Sequence, residues 1–355
     1  TVTGALGLPA SGVPAGQADG SSQGARGKRC LPPECAGPAR EHPARPMSVC
    51  APPVLPGIDV FQRGWLSSNN VLLHGEGAGA VLIDAGHVLH AGQTVALVRH
   101  ALRGETLAGV VNTHLHSDHC GGNATLQRAF GCTLTIPPGQ WAAVQAWDDV
   151  ALSYVPTGQR CERFTADAAL HPGEVLRVGS QQWQALAAPG HDPHSLVLFN
   201  ARQGVVITAD ALWERGFGVV FPELEGEQAF DEVAQALDLI ESLDARWAIP
   251  GHGAPFADIP GALRQARQRL ATFRADPVRH ARYAVKALVA YHLMEERQQA
   301  LPALLQWFAG VSLYPLIWQR IGRPGGTLQA FAEAVVKELA DAGVLALHDG
   351  VVFKT

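Results

Sequence analysis

The stretch from Asn112 to Cys120, NTHLHSDHC, places three histidines and an aspartate within six positions, His114 to His119, in a chain with only 15 histidines among 355 residues. It follows the apolar run LAGVV, which reads as a buried strand. Alternate residues on an extended segment face the same side, so His114 and His116 can grip one ion. The chain then turns into the next helix, where Asp118 and His119 emerge at a different place and can grip a second. Imidazole and carboxylate are the donors that borderline and hard divalent metals take. A lone histidine is more often structural; a cluster this dense reads as a metal centre.

Outward from this motif, helix and strand signals alternate. NNVLLHGEGAGAVLIDAG reads as two strands joined by a Gly-rich hairpin, and QTVALVRHALRG as an amphipathic helix stopped by Gly104. NATLQRAF starts a helix with Asn123 as its N-cap, followed by the strand CTLTIP. The second half repeats the logic. EVLRVGSQQWQALAAPG, SLVLFNA and GVVITAD are strands, EQAFDEVAQALDLIESL is a long helix, and RWAIPGHG is a last strand and loop. This order implies an α/β fold of two mixed sheets with helices outside. After Pro260 the pattern turns helical and closes with the hairpin VLALHDGVVF, whose turn is Asp349–Gly350. That succession looks like a winged-helix unit, so the expected domains are a catalytic domain over 47–259 and a helical winged-helix-like domain over 260–355.

Residues 1–46 are rich in Gly, Ala, Pro, Ser and Arg with almost no large apolar residues, so they are expected to be a disordered extension. The chain does not begin with Met, so a processed or trimmed N-terminus is expected, with Met47 a candidate natural start. No apolar run approaches the ~20 residues of a membrane span, and the first 30 residues lack the apolar centre of an export signal. A cytoplasmic location is therefore expected. A disulfide framework is not expected from the six cysteines, and Cys30, Cys35 and Cys50 do not complete a zinc ribbon. Residues 260–355 carry 12 Lys/Arg against 7 Asp/Glu, a net +5, which leaves −10 for the rest. The basic tail is either a solvated helix face or an anion-binding surface.

At this point the order of motifs resembles the metallo-β-lactamase superfamily. THLHSDH looks like its first metal motif. IDAG, with Asp84, resembles the acidic turn upstream of it. APGHDPHS, with His191, resembles the third-histidine motif; ITADALW, with Asp210, the bridging aspartate; and IPGHG, with His252, the final histidine loop. The match spans about residues 58–256. It implies the αββα metallo-β-lactamase fold, two mixed sheets sandwiched between helices. It also implies two divalent metal ions, zinc first with iron or manganese as alternatives. His114, His116 and His191 would hold one ion, Asp118, His119 and His252 the other, and Asp210 would bridge them. Asp118 and Asp210 would be the catalytic carboxylates. Asp84 would orient a ligand imidazole by accepting its free N–H. The implied reaction is hydrolysis of an ester, thioester or similar bond by a hydroxide shared between the metals.

The resemblance also narrows the branch. True β-lactamases of this superfamily carry Cys or Ser where Asp210 stands. The Asp resembles the glyoxalase II, ribonuclease Z, lactonase and sulfur dioxygenase branches. The glyoxalase II motif Gly-His-Thr-x-Gly-His is GHDPHS here, which leaves His194 either the last histidine or a pocket residue. Trp213, Phe217 and Phe221, in ALWERGFGVVF, offer an apolar wall for a substrate or ordinary core. Arg279, Arg282 and Lys286 fall on one helical face and could contact an anion. A small-molecule acyl substrate is the expected partner, with a homodimer left open. Nucleic acid is disfavoured by the acidic body, and no membrane partner is expected. The alternatives are a metal-dependent endoribonuclease or phosphodiesterase, a β-lactamase or sulfur dioxygenase, and a non-catalytic binding protein that kept the fold.

Overall fold

A computed structural model describes residues 55–355. The expected disorder of 1–46, the start at Met47 and the readings of Cys30, Cys35 and Cys50 lie outside them. The first sheet runs in spatial order β1 (Ile58–Phe61), β2 (Asn70–Leu73), β3 (Ala80–Ile83), β4 (Leu107–Val111), β5 (Thr133–Ile136) and β6 (Ala168–Ala169). Its first three strands are antiparallel; β3 to β6 are parallel, joined through helices α1 (Ala91–Ala101), α2 (Ser117–Cys120), α3 (Asn123–Phe130), α4 (Trp141–Ala146) and α5 (Tyr154–Thr157). The second sheet is β7 (Val175–Val178), β8 (Gln181–Ala187), β9 (Leu196–Asn200), β10 (Val205–Ala209) and β11 (Trp247–Pro250), with only the last pair parallel. Between β10 and β11 lie α6 (Phe221–Glu225) and α7 (Phe230–Ser242).

Strand alternation explains why the sheets face each other. Val71, Leu73, Ile83 and Val111 share a core with Leu196, Leu198, Val205, Ile207 and Ile249 of the other sheet. Their neighbours Leu72, Leu82 and Val110 point outward against α1 and α3. Val197, Val206 and Ala248 likewise point outward, against α7. Near-continuous apolar strands of this kind are buried on both faces, which yields the expected four layers, αββα.

The C-terminal region begins with α8 (Ile259–Ala275) and continues through α9 (Pro277–Glu296), β12 (Gln298–Ala300), α10 (Leu301–Gly310), α11 (Leu313–Arg320), α12 (Leu328–Asp341), β13 (Leu345–His348) and β14 (Val351–Lys354). The last hairpin pairs His348 with Val351, leaving Asp349 and Gly350 as a two-residue turn with φ of 50° and 74°, the geometry its sequence demands. β14 also pairs with β12, so a three-stranded sheet sits among the terminal helices. The boundary expected at 259/260 falls inside the outer helical layer: Ile259, Leu263, Ala266, Leu270 and Phe273 of α8 pack with α7 on the second sheet. The charge asymmetry is spent here. Arg267 of α8 pairs with Asp238 and Glu241 of α7, both at 2.7 Å, and Arg274 pairs with Asp231. Among the described residues no single helix is long and apolar enough to cross a membrane.

Candidate metal centre

The motif residues all follow C-terminal ends of strands, where α/β sheets place their ligand sites. Asp84 follows β3, His114 and His116 follow β4, His191 follows β8, Asp210 follows β10 and His252 follows β11. Leu115, between the first two histidines, is fully buried in the outer core of the first sheet. Its burial, worth roughly 1.5–3 kcal/mol, fixes the opposite facing of His114 and His116. His116 is extended, with ψ of 150°, and α2 starts directly after it, so Asp118 and His119 leave from a helical turn. Asp210 is aimed by two irregularities: a register shift between Ile207 and Ala209, and Ala209 itself at φ 45°. A left-handed alanine is strained, and here it turns the carboxylate toward the histidines.

Two groups result. Donor atoms of His114, His116 and His191 lie within 4.8 Å of one another, and so do those of Asp118, His119, Asp210 and His252. Asp210 stands between them: Oδ1 is 3.5 Å from His119 Nε2, and Oδ2 is 3.5 Å from His191 Nε2. His252 Nε2 is 3.0 Å from Asp118 Oδ2, and His116 Nδ1 is 2.8 Å from His191 Nε2.

The hydrogen-bond network shows what the cluster lacks. His119 Nδ1 donates to Asp84 Oδ2 at 2.8 Å, and His191 Nδ1 donates to the Val219 carbonyl at 2.6 Å. Thr113 Oγ1 donates to Asp84 Oδ2, so it accepts from His114 Nδ1 at 3.1 Å. Each ring therefore turns an unprotonated Nε2 inward. His114 Nε2 and His119 Nε2 are buried without any partner in the protein. Two inward, unpartnered ring nitrogens beside the Asp118 and Asp210 carboxylates are the kind of donor set that divalent cations take. The electrostatics agree. Burial opposes charge on His119, but Asp84, Asp210 and Asp118 outweigh it and hold the ring well above its ordinary pKa. His114 moves the other way, pushed well down by burial and by the neighbouring His119, His116 and His191 rings. Asp210 is held well below the usual carboxylate range: burial opposes this, but His252, His119 and His191 prevail.

The other candidate residues scatter. Trp213 reaches the centre, donating from Nε1 to Asp210 Oδ1 at 3.0 Å. Phe221 lies against His116 and His191, with ring centroids 4.7 and 5.7 Å apart. Phe217 is 1% exposed and packed on Phe273 in the outer core, with Arg269 over its ring, and it borders a small void behind His191 and Asp210. His194 is half-buried and packs over Gly139, its backbone N–H bonded to Asp192. The anion face is partly consumed. Arg282 pairs with Glu338 of α12, and Lys286 Nζ lies 3.3 Å from the same carboxylate, while Arg279 is exposed at the start of α9. Asn123 is not a cap; it is the first residue of α3, buried, and donates to Asn112 Oδ1.

Several contributors lie outside the candidate residues. Trp65 stacks on His252 at 5.2 Å with planes 10° apart and meets Trp213 edge-on. Asp192 Oδ2 lies 3.7 Å from His116 Nε2. Its place beside His191 was the only signal it offered. Tyr291 of α9 bonds Ser117 Oγ at 2.9 Å across 174 positions, a contact no local pattern could announce.

A profile of the metallo-beta-lactamase superfamily matches residues 63–252, more than half the chain. The chain belongs to the metallo-beta-lactamase superfamily. Among curated superfamily relatives, a hydroxyacylglutathione hydrolase of Methylococcus capsulatus is 29% identical over 193 residues, 53% of this chain and 63% of the relative. An atrochrysone carboxyl ACP thioesterase of Aspergillus fumigatus is 25% identical over 204 residues, 58% of this chain and 56% of the relative. The chain thus spans less than two thirds of the length of these relatives. Among solved structures, a beta-lactamase domain protein from Burkholderia ambifaria superposes with a TM-score of 0.53 at 21% identity, covering 87% of this chain and 97% of that one. A metallo-beta-lactamase family protein from Thermus thermophilus gives 0.50 at 20% identity, covering 85% and 100%. These likenesses establish the fold, and every residue of the His/Asp cluster lies within the matched stretch.

Proposed function

We propose that this chain is a dinuclear metallohydrolase that cleaves a thioester or ester of a small acyl substrate. The observation that carries the reading is the position of Asp210, one oxygen facing each group of histidines, together with the inward, unpartnered Nε2 atoms of His114 and His119. His114, His116 and His191 would hold one ion, and Asp118, His119 and His252 the other, with Asp210 shared; zinc suits this donor set best. Bound there, two divalent cations supply Lewis acidity and acidify water towards neutrality. The chain's own residues do the rest. Asp84 fixes the tautomer of His119, and Val219 that of His191. Trp213 fixes the rotation of the Asp210 carboxylate. Trp65 on His252 and Phe221 on His116 cover two edges of the centre with apolar surface, which keeps bulk water away and suits an acyl group.

A thioester is favoured over a polyanion because Glu338 engages two of the three cations of the α9 face and lowers the trio to a net +2. The curated relatives named as a hydroxyacylglutathione hydrolase and an ACP thioesterase point the same way. The test is a panel of thioesters, lactones, phosphodiesters and β-lactams assayed on metal-replete protein and on Asp210→Ala. Thioester turnover lost in the variant is the expected result. Metal-dependent RNA cleavage lost in His116→Ala, without thioester turnover, would overturn the reading.

A further inference from the structure

Cys120 is the residue after His119 and ends α2, the turn that carries Asp118. Its side chain is fully buried. Sγ lies 3.7 Å from Cys161 Sγ, 3.1 Å from the Tyr154 hydroxyl and 3.3 Å from the Leu115 carbonyl. Cys161 is half-buried, and residues 159–167 have no regular secondary structure, so one sulfur is sealed in the core and the other can meet a solute. The same segment is tied to the metal loop by Gln159 Oε1, which accepts from Ser117 Oγ at 2.8 Å, and to α9 by Arg160, which pairs with Glu295 and Glu296. The hydrolase reading has no use for this thiol pair.

We propose that Cys120 and Cys161 form a reversible disulfide that couples oxidation to loss of the metal centre. The oxidant is hydrogen peroxide. Cys161 attacks the peroxide: an S–O bond forms, the O–O bond breaks, and water leaves with a sulfenic acid on Cys161. Cys120 then attacks the sulfenic sulfur; the S–S bond forms, the S–O bond breaks, and hydroxide departs with the Cys120 proton as a second water. Two thiols have given two electrons, and a dithiol returns them.

A disulfide needs its sulfurs about 2.05 Å apart, so the pair must close by roughly 1.7 Å from 3.7 Å. The loop can supply part of this, but Arg160 and Gln159 tether it, so the remainder falls on α2. Cys120 must also leave the Tyr154 and Leu115 contacts that set its rotamer. Asp118 and His119 move with the turn, and a displacement near 1 Å at such a site costs on the order of 10²-fold in rate.

The experiment uses the full chain loaded with zinc, treated with hydrogen peroxide and mapped with trypsin. Cleavage at Arg103, Arg128, Arg160 and Arg163 puts the two thiols on peptides 104–128 and 161–163. The expected result is one crosslinked species lighter than the two peptides by two hydrogens, zinc released to a chromogenic chelator, and full reversal by dithiothreitol. Cys161→Ser and Cys161→Ala should abolish both the crosslink and the release; Cys132→Ser should change neither. Peptide map and zinc release read this site whatever substrate the enzyme takes, so they remain decisive if thioester turnover is absent. Cys161 oxidised to sulfinic acid with peptide 104–128 unlinked would overturn the proposal, and so would a crosslink that leaves the zinc bound.

Discussion

Asp84→Asn tests how the site is built, because this carboxylate touches no expected position of an ion. Asp84 is 3% exposed, sits in the left-handed region at φ 59°, and accepts three bonds of 2.8 Å, from Thr113 N, Thr113 Oγ1 and His119 Nδ1. Asparagine keeps the shape but only one acceptor atom, where Asp84 Oδ2 takes both Thr113 Oγ1 and His119 Nδ1 and Oδ1 takes Thr113 N. Toward His119 it presents either a neutral oxygen or an N–H. The first weakens one charge-assisted bond, worth about 1.5–3 kcal/mol. The second faces an N–H with an N–H, so the ring shifts its proton to Nε2 and loses the lone pair that a metal needs. At about 1.4 kcal/mol per decade, the bond energy converts to roughly 10–100-fold in metal affinity, the range seen when partners of metal-bound histidines are removed. Competition against a chromogenic chelator should resolve two affinities in the wild type and a loss of this size for the second ion only. Circular dichroism should be unchanged. Unaltered affinity for both ions would refute the claim that Asp84 fixes the His119 tautomer. Equal loss at both sites would refute the assignment of His119 to one of them.

Gly251→Ala places a Cβ 2.1 Å from Asp210 Oδ1 and 3.0 Å from His119 Cε1, so metal stoichiometry should fall and turnover should drop on the order of 10²-fold with the fold intact; elemental analysis and circular dichroism check this. Stripping the metals should lower the melting temperature, and zinc at about 100 times its dissociation constant should restore roughly 2.7 kcal/mol; a calorimetric scan insensitive to zinc would contradict a folded-state site. His280 accepts from Val220 N and is pushed down to about 4, by burial first and then by Arg269. Above pH 6.5 the ring is neutral in both states and contributes nothing to the pH dependence; as pH falls from 6.5 towards 4 only the unfolded chain takes up the proton, so stability drops, by up to about 3 kcal/mol. His280→Gln should flatten denaturation midpoints across that window relative to wild type, and an identical pH slope would rule the residue out.

The sequence by itself determined the layers and the motifs. Strands read on both faces as apolar, such as VVIT and LVLF, can only be central, and the hairpin turn at Asp349–Gly350 follows from the conformations those two residues tolerate. HLHSDH is legible because its geometry is local: Leu115 must go inward, so its neighbours face away. The tertiary structure alone decided what surrounds the motif. Phe217 and Phe221 are four positions apart, yet one fills the core and the other, the first residue of α6, covers His116. Nothing in the run ALWERGFGVVF distinguishes them, since either ring gains by burial. Arg282 and Lys286 promised an anion site until α12 brought Glu338 to them. Trp65 and Tyr291 reach the neighbourhood of the centre, and Cys161 reaches Cys120, from separate loops and helices. Periodicity and turn chemistry act over a few residues, whereas these contacts depend on how whole layers pack, and that is the information a linear reading does not contain.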